Sequence, residues 1–299
     1  MSNLQAIAKI DPHHHLWDLD HNPYPWLQGP RGWRTYGDYA AMCKNYLIDD
    51  FLVDSKPHNV VASVHVQANW DAADPVGETR WVQSVADEHG FPHGIVGHAN
   101  LGAADVDAVL EAHCEYKNMR GIRDIHGHTD DPDCTKRPDR LVDPAWERGY
   151  ARLARYNLSF DLQGFPSQLI RFAPIAARHQ DIPVVICHNG FPWDRSPAGL
   201  ELWRQGMSAL AALPHCHVKL SGPEMVMTGW TVESYGDFIH GAIDLFGPER
   251  CMFASNVPPD ALRKTYDDIY KAFYAWAERY SDAECRALFH DSAQGFYRL

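Results

Sequence analysis

The sequence has no Cys-x-x-Cys pair, and its seven cysteines (Cys43, Cys114, Cys134, Cys187, Cys216, Cys251 and Cys285) are scattered and odd in number. A disulfide framework and a thiolate zinc site are therefore not expected. No window approaches the roughly 18 apolar residues of a membrane span. Residues 1–9 lack a basic start followed by an apolar run, so no signal peptide is expected and the reducing cytoplasm is the expected compartment. Basic charge is also scarce, with 27 Lys and Arg against 39 Asp and Glu and a formal charge of −12. The densest basic patches, Arg31 to Arg34 and Lys136 to Arg140, are too small to neutralise a phosphate backbone, which excludes nucleic acid as a partner. Neither Gly-x-Gly-x-x-Gly nor a P-loop occurs, which argues against a doubly wound nucleotide-binding sheet.

What the chain does have is apolar content for a sizeable core, 45% hydrophobic over 299 residues, read as one domain over 1–299. Short β-rich runs at 8–15, 60–69, 94–101, 119–125, 158–165, 183–189, 217–222 and 252–258 alternate with helical patterns. These fall at 78–89, 103–118, 145–156, 167–180, 198–213, 232–246 and 261–280, with a final helix at 282–289 before Gly295-Phe296-Tyr297. Asp74-Pro75 and Asp143-Pro144 each pair a capping residue with a first-turn proline. Eight βα units predict an α/β fold with a parallel sheet closed into a (β/α)8 TIM barrel. The stretch 18–38, rich in proline, glycine and aromatic residues, is too long for a plain connection and is read as an ordered cover over the site.

In such a barrel, chemistry sits at the C-terminal strand ends. The first strand ends Asp11-Pro12-His13-His14-His15, and a period of two sends Asp11, His13 and His15 to one face and His14 to the other. His-x-His on a strand places two imidazoles around one divalent ion. The second strand brings His65, Gln67 and Asn69, the third His98 and Asn100, the fourth Arg123 with His126 and His128, the fifth Asp161 and Gln163. The sixth ends at His188-Asn189-Gly190, the seventh is Lys219-Leu220-Ser221-Gly222, and the eighth ends Ser255-Asn256-Val257-Pro258-Pro259-Asp260. Burying so many polar groups without partners would cost about 1–3 kcal/mol each, so their concentration marks a site. Singly, His65 and His98 read equally well as structural histidines, Arg123 as a rim ion-pair partner, and Asp260 as the cap of the last long helix. Trp26, Trp33, Trp193 and Trp230 are candidates for an aromatic wall.

Taken together, Asp11-Pro12-His13-His14-His15-Leu16-Trp17, Tyr24-Pro25-Trp26-Leu27, Val64-His65-Val66-Gln67-Ala68, Arg120-Gly121-Ile122-Arg123, Phe160-Asp161-Leu162, Cys187-His188-Asn189-Gly190-Phe191-Pro192, Lys219-Leu220-Ser221-Gly222 and Met252-Phe253-Ala254-Ser255-Asn256 resemble the amidohydrolase-related family. That group of metal-dependent TIM-barrel hydrolases includes 2-pyrone-4,6-dicarboxylate lactonase and sugar lactonases, and the resemblance runs from about Asp11 to Leu299. It implies hydrolysis of a small cyclic ester, a lactone, at the barrel mouth. It also implies His13, His15 and His188 as metal ligands and an aspartate after the eighth strand, where this chain has Asn256. Asp260, four residues on, is the candidate substitute for the missing carboxylate.

Two mechanisms follow. A divalent ion, zinc or manganese, on His13, His15 and His188 activates water; or no metal is bound, and the same groups with Arg123 stabilise the oxyanion while Asp260 or a histidine takes the proton. Candidate catalytic residues are His188, Asp260 and Asn256; candidate substrate-binding residues are Arg123, His65, Gln67, His126, Lys219 and Asp161. The substrate is expected to be a small molecule bearing a carboxylate or hydroxyls. A non-hydrolytic lyase, decarboxylase or isomerase, an amide hydrolase, and a homo-oligomeric assembly stay open.

Overall fold

The computed structural model describes residues 4–32, 34–126 and 139–299; Trp33, His128 and Lys136 lie outside the described residues. Eight parallel strands are ordered β1 to β8 in sequence: Lys9–His14, Val60–Val66, Gly94–Gly97, Met119–Ile122, Ser159–Leu162, Val184–Ile186, Cys216–Leu220 and Cys251–Phe253. Past the last ladder, His15 N–H donates to the Val257 carbonyl (2.8 Å) and Asn256 N–H to the His13 carbonyl (2.7 Å), joining the β1 and β8 ends. The result is a nearly closed barrel with helices between successive strands, as the alternation predicts.

Alternation along each strand sorts the side chains. Ile10, Val64, Val66, Val96, Val185 and Met252 point inward and pack with Ala293, Phe296 and Tyr297 of the C-terminal helix Ser292–Tyr297, while Leu299 packs beside them near Gly94 at the start of β3. That helix therefore plugs the N-terminal end of the barrel. Their strand neighbours Ile122, Phe160, Leu162, Val184, Ile186, Val218 and Leu220 join the larger core between sheet and helices.

The strands are shorter than their patterns, and almost all the excess is at the C-terminal ends. There the chain turns into left-handed residues, Asn69 (φ 60°), His188 (φ 53°) and Asn256 (φ 51°), which no ladder tolerates. Register on β1 also departs from the simple alternation: Asp11 pairs with Ser63 but His14 with His65, a bulge at Pro12, which has no N–H to donate. Asp11 thus leaves the face of His13 and accepts from Tyr266 Oη (3.0 Å) and Ser255 N–H (3.0 Å).

Asp143 caps the helix Pro144–Tyr150 as expected, accepting from Ala145 N–H. Asp74 does not cap: the helix Gly77–His89 starts after Val76, and Asp74 pairs with Arg80 instead. Asp260 does not cap either, because the last long helix begins at Tyr266 with Thr265 as its cap, and Asp260 sits in a separate turn, Pro259–Ala261. The helix Asp282–Arg286 runs through a π-turn, Ala287–Asp291, so Gly295-Phe296-Tyr297 is helical rather than a tail. Among the described residues no helix is long and apolar enough to cross a membrane, and the six described cysteines are free.

Candidate active site

The C-terminal strand ends open into a cavity of about 330 Å³. Its floor carries His15, Arg123, Gln163, His188 and Asn256, with His126 and Asn69 at the side and Met225 and Pro259 opposite. Trp17, Trp26, Arg34 and Tyr36 cover it.

Three imidazoles converge at the floor and just behind it. The His13 ring centroid lies 5.0 Å from that of His15 and 4.8 Å from that of His188. His15 Nδ1 donates to the Val66 carbonyl (2.6 Å), which leaves Nε2 as the lone-pair nitrogen facing the cavity. His188 Nδ1 meets Ser221 Oγ at 3.2 Å, and its buried Nε2 has no hydrogen-bond partner among the described residues. Burial, then the nearby cations Arg123 and Lys219, hold His188 well below the usual imidazole range; burial and then Arg123 do the same to His15, and burial and then Lys219 to His13. All three are neutral at pH 7.

His188 is aimed by its backbone. It opens a run of four left-handed residues, His188, Asn189 (φ 55°), Gly190 (φ 71°) and Phe191 (φ 54°), a strained path that holds Nε2 over the floor. Gly222 (φ 76°) makes room for it: a Cβ there would lie 2.4 Å from His188 Cβ. The Gly222 N–H donates in turn to Asp260 Oδ2 (2.7 Å).

Beneath the floor, Lys219 Nζ pairs with Asp161 Oδ2 (2.6 Å) and reaches His13 Nδ1 (3.3 Å), while Tyr297 Oη donates to Asp161 from below (2.8 Å). Arg123 donates to Gln163 Oε1 (2.9 Å) and to the Gln67 carbonyl, and its Nη1 lies 3.4 Å from His13 Nε2. Its buried Nε has no hydrogen-bond partner among the described residues.

Of the sequence-predicted residues, the structure brings His15, Arg123, His188 and Asn256 to the floor and His126 to the side, with His13 packed against His15 and His188 behind the lining. It keeps five others away from the cavity. His65 is turned outward through the barrel wall, because Ala62, Val64 and Val66 take the inward positions of β2; its Nε2 pairs with Glu78 (3.1 Å) and its Nδ1 accepts from Leu16 N–H. Gln67 lies past the end of β2 and braces Asn69 N–H (2.7 Å). Lys219 and Asp161 lie below the floor. Asp260 is enclosed behind Asn256, and burial raises its carboxyl well above the usual range against the hydrogen bond from Gly222. Trp230 is core, its ring tilted against that of Trp276, not cavity wall. Sequence reasoning left out Tyr297, Met225 and Arg34. Tyr297 carries no local signal, since only the returning C-terminal helix brings it under Asp161.

The donor set suits a divalent ion: His15 offers an unprotonated Nε2 and His188 an unpartnered one, and each Nδ1 is fixed by a neighbour, as metal-bound imidazoles require. His13 is the third imidazole beside them. The carboxylate of a stronger site is missing, Asn256 being a neutral amide whose Nδ2 rests on Met225 Sδ. A second grouping, His13, Asp161 and Cys187, has ligand atoms within 4.8 Å of one another, but the Lys219 ammonium already supplies a cation to Asp161 and His13 there.

Comparison with known proteins identifies the family. The amidohydrolase family model matches residues 10–299. The chain is 44% identical over 298 residues to protein y4mH of Sinorhizobium fredii, covering 99% of this chain and 100% of that one. It is 30% identical over 306 residues to an L-fucono-1,5-lactonase of Burkholderia multivorans, covering 98% and 97%. A crystal structure of a Burkholderia multivorans amidohydrolase with bound zinc superposes with a TM-score of 0.81 at 29% identity, over 97% of this chain and 99% of that one. The chain belongs to the amidohydrolase family and is a hydrolase.

Proposed function

We propose that this hydrolase opens small cyclic esters bearing hydroxyls or a carboxylate, with the attacking water held between His15 and His188. The observation that carries the reading is the pair of neutral imidazole Nε2 atoms facing a covered cavity beside Arg123. The naming of a relative as an L-fucono-1,5-lactonase supports the lactone class.

The chain's own groups divide the work. Arg123, charged and desolvated, is placed to stabilise the oxyanion that forms when water adds to the ester carbonyl. Asn256 and Gln163 offer amide groups that orient ring oxygens. His126 and Arg34 flank the substrate, and Trp17, Trp26 and Tyr36 exclude bulk water and pack on its apolar face. His188 Nε2 is the proton acceptor when no metal is present; Asp260 is a positioning residue, because its carboxyl is enclosed and bound to Gly222. A divalent ion on His13, His15 and His188 would supply Lewis acidity and a bound water of lowered pKa.

The test is elemental analysis of protein purified without added metal or chelator, with hydrolysis of a panel of sugar-acid and carboxylated lactones before and after chelation. About one equivalent of metal with chelation-sensitive turnover supports the ion-assisted form. Metal-free turnover supports His188 as the base. No turnover of any lactone in either state removes the reading.

A further inference from the structure

The cover over the cavity is built from two pieces held in different ways. Its first piece is anchored at three points: Trp26 Nε1 donates to the Ala68 carbonyl past the end of β2 (2.7 Å), Trp17 Nε1 to the Lys44 carbonyl later in the same connection (2.8 Å) and Tyr24 Oη to Glu78 of the helix Gly77–His89 (3.2 Å). Its second piece, residues 34–38, carries Arg34 and Tyr36 over the cavity and is tied down from across the mouth. Arg263, which follows β8, donates through Nη2 to the Tyr36 carbonyl (3.0 Å) and approaches the Asp38 carbonyl (3.4 Å). Its Nη1 donates to the Glu224 carboxylate, which is fully buried in the short helix Pro223–Val226 after β7. Gly37 between the two carbonyls is left-handed (φ 75°), which turns both toward the guanidinium.

One side chain thus joins the loops after β1, β7 and β8. The Glu224 helix directly follows Gly222, the residue that makes room for His188, and its Met225 touches Asn256. A planar fork with fixed donors suits this bridge, and a single-point ammonium does not.

We propose that Arg263, oriented by Glu224, is the latch that holds residues 34–38 over the cavity and so sets how tightly substrate is retained there. It is a positioning residue, since it touches neither the imidazoles nor Arg123. The kinetic arm of its test rests on the lactone reading; the structural arm does not.

The experiment is hydrogen exchange by mass spectrometry on the full chain, for wild type, Arg263→Met, Arg263→Lys and Glu224→Gln, with the β6 segment 184–186 as internal reference. Arg263→Met should speed amide exchange over 34–39 by about ten-fold with the reference unchanged, because it opens a local unit rather than the fold. Arg263→Lys should fall between. Arg263→Met with Glu224→Gln should be no worse than Arg263→Met alone, as expected for two partners in one contact. On a lactone that is turned over, KM should rise about ten-fold with kcat nearly unchanged, the pattern of lost uniform binding. Unchanged exchange over 34–39 in Arg263→Met overturns the latch, as does a matching rise in the reference segment for Arg263→Lys. Faster local exchange in a protein that turns over no lactone supports the latch and removes the lactone reading alone.

Discussion

Replacing Gly222 by alanine tests the link between backbone geometry and the candidate base. The new Cβ would lie 2.4 Å from His188 Cβ, 2.7 Å from Cγ and 2.9 Å from Nδ1. Carbon atoms rest at about 3.5 Å, so the imidazole must move by about 1 Å. His188 cannot retreat cheaply, because its backbone is already left-handed and Gly190 behind it is close-packed against Met207. The left-handed φ adds about 1–2 kcal/mol and overpacking a further ~1–3 kcal/mol. A 1 Å misplacement of a catalytic group costs about 10²-fold in rate. Gly229 provides the control: its φ is 75°, but nothing lies within 4 Å of its added Cβ. Thermal melts and kcat/KM on a turned-over lactone, run on Gly222→Ala and Gly229→Ala together, separate backbone cost from clash. Equal losses in the two variants would refute the argument that Gly222 exists to seat His188.

Further expectations concern the floor, the interior pair and the helix layer. His188→Ala should abolish turnover while circular dichroism and melting stay close to wild type; wild-type rates would take His188 out of the mechanism. Asn256→Asp should raise zinc affinity in a competition titration if this position faces the ion, and unchanged affinity would show that it does not. Lys219→Met leaves Asp161 charged and buried and should cost about 3–5 kcal/mol by urea unfolding, much of it recovered by Asp161→Asn in the same chain. His113 is buried, donates through Nε2 to the His98 carbonyl (2.9 Å), and is pushed down to about 4 by burial. Its folded pKa lies below the unfolded value near 6.5, so the unfolded chain binds the extra proton and stability falls as pH drops from about 6.5 to 4. That loss should approach about 3 kcal/mol. Urea midpoints at several pH values should show a shallower slope in His113→Gln, and an equal slope would exclude His113 from the effect.

Much of this was legible in the chain by itself. Eight apolar runs alternating with helical patterns specify βα units, since a strand buried on both faces has few ways to be covered other than by helices. The polar residues at the run ends specify a site, because burying them idly would be too costly. His15, Arg123, His188 and Asn256 reach the cavity floor as their strand-end positions imply, and His13 lies directly behind it. Period-two reasoning failed where the ladder stopped. The bulge at Pro12 moved Asp11 off the face of His13, and the end of β2 at Val66 separated Gln67 from outward-facing His65.

Only the tertiary structure decided which polar groups meet the cavity and which brace it. Asp260 looked equally like a base or a cap, and it is neither cavity-facing nor a cap, because the chain takes a separate turn at Pro259–Ala261 before Thr265 starts the helix. Tyr297 reaches Asp161 across 136 residues of sequence, and Arg263 reaches Tyr36 across 227. Such pairings are set by barrel closure and by the return of the C-terminal helix. Local sequence fixes periodicity and turn chemistry, but it carries no term for contacts between residues that only the completed barrel brings within a few ångströms.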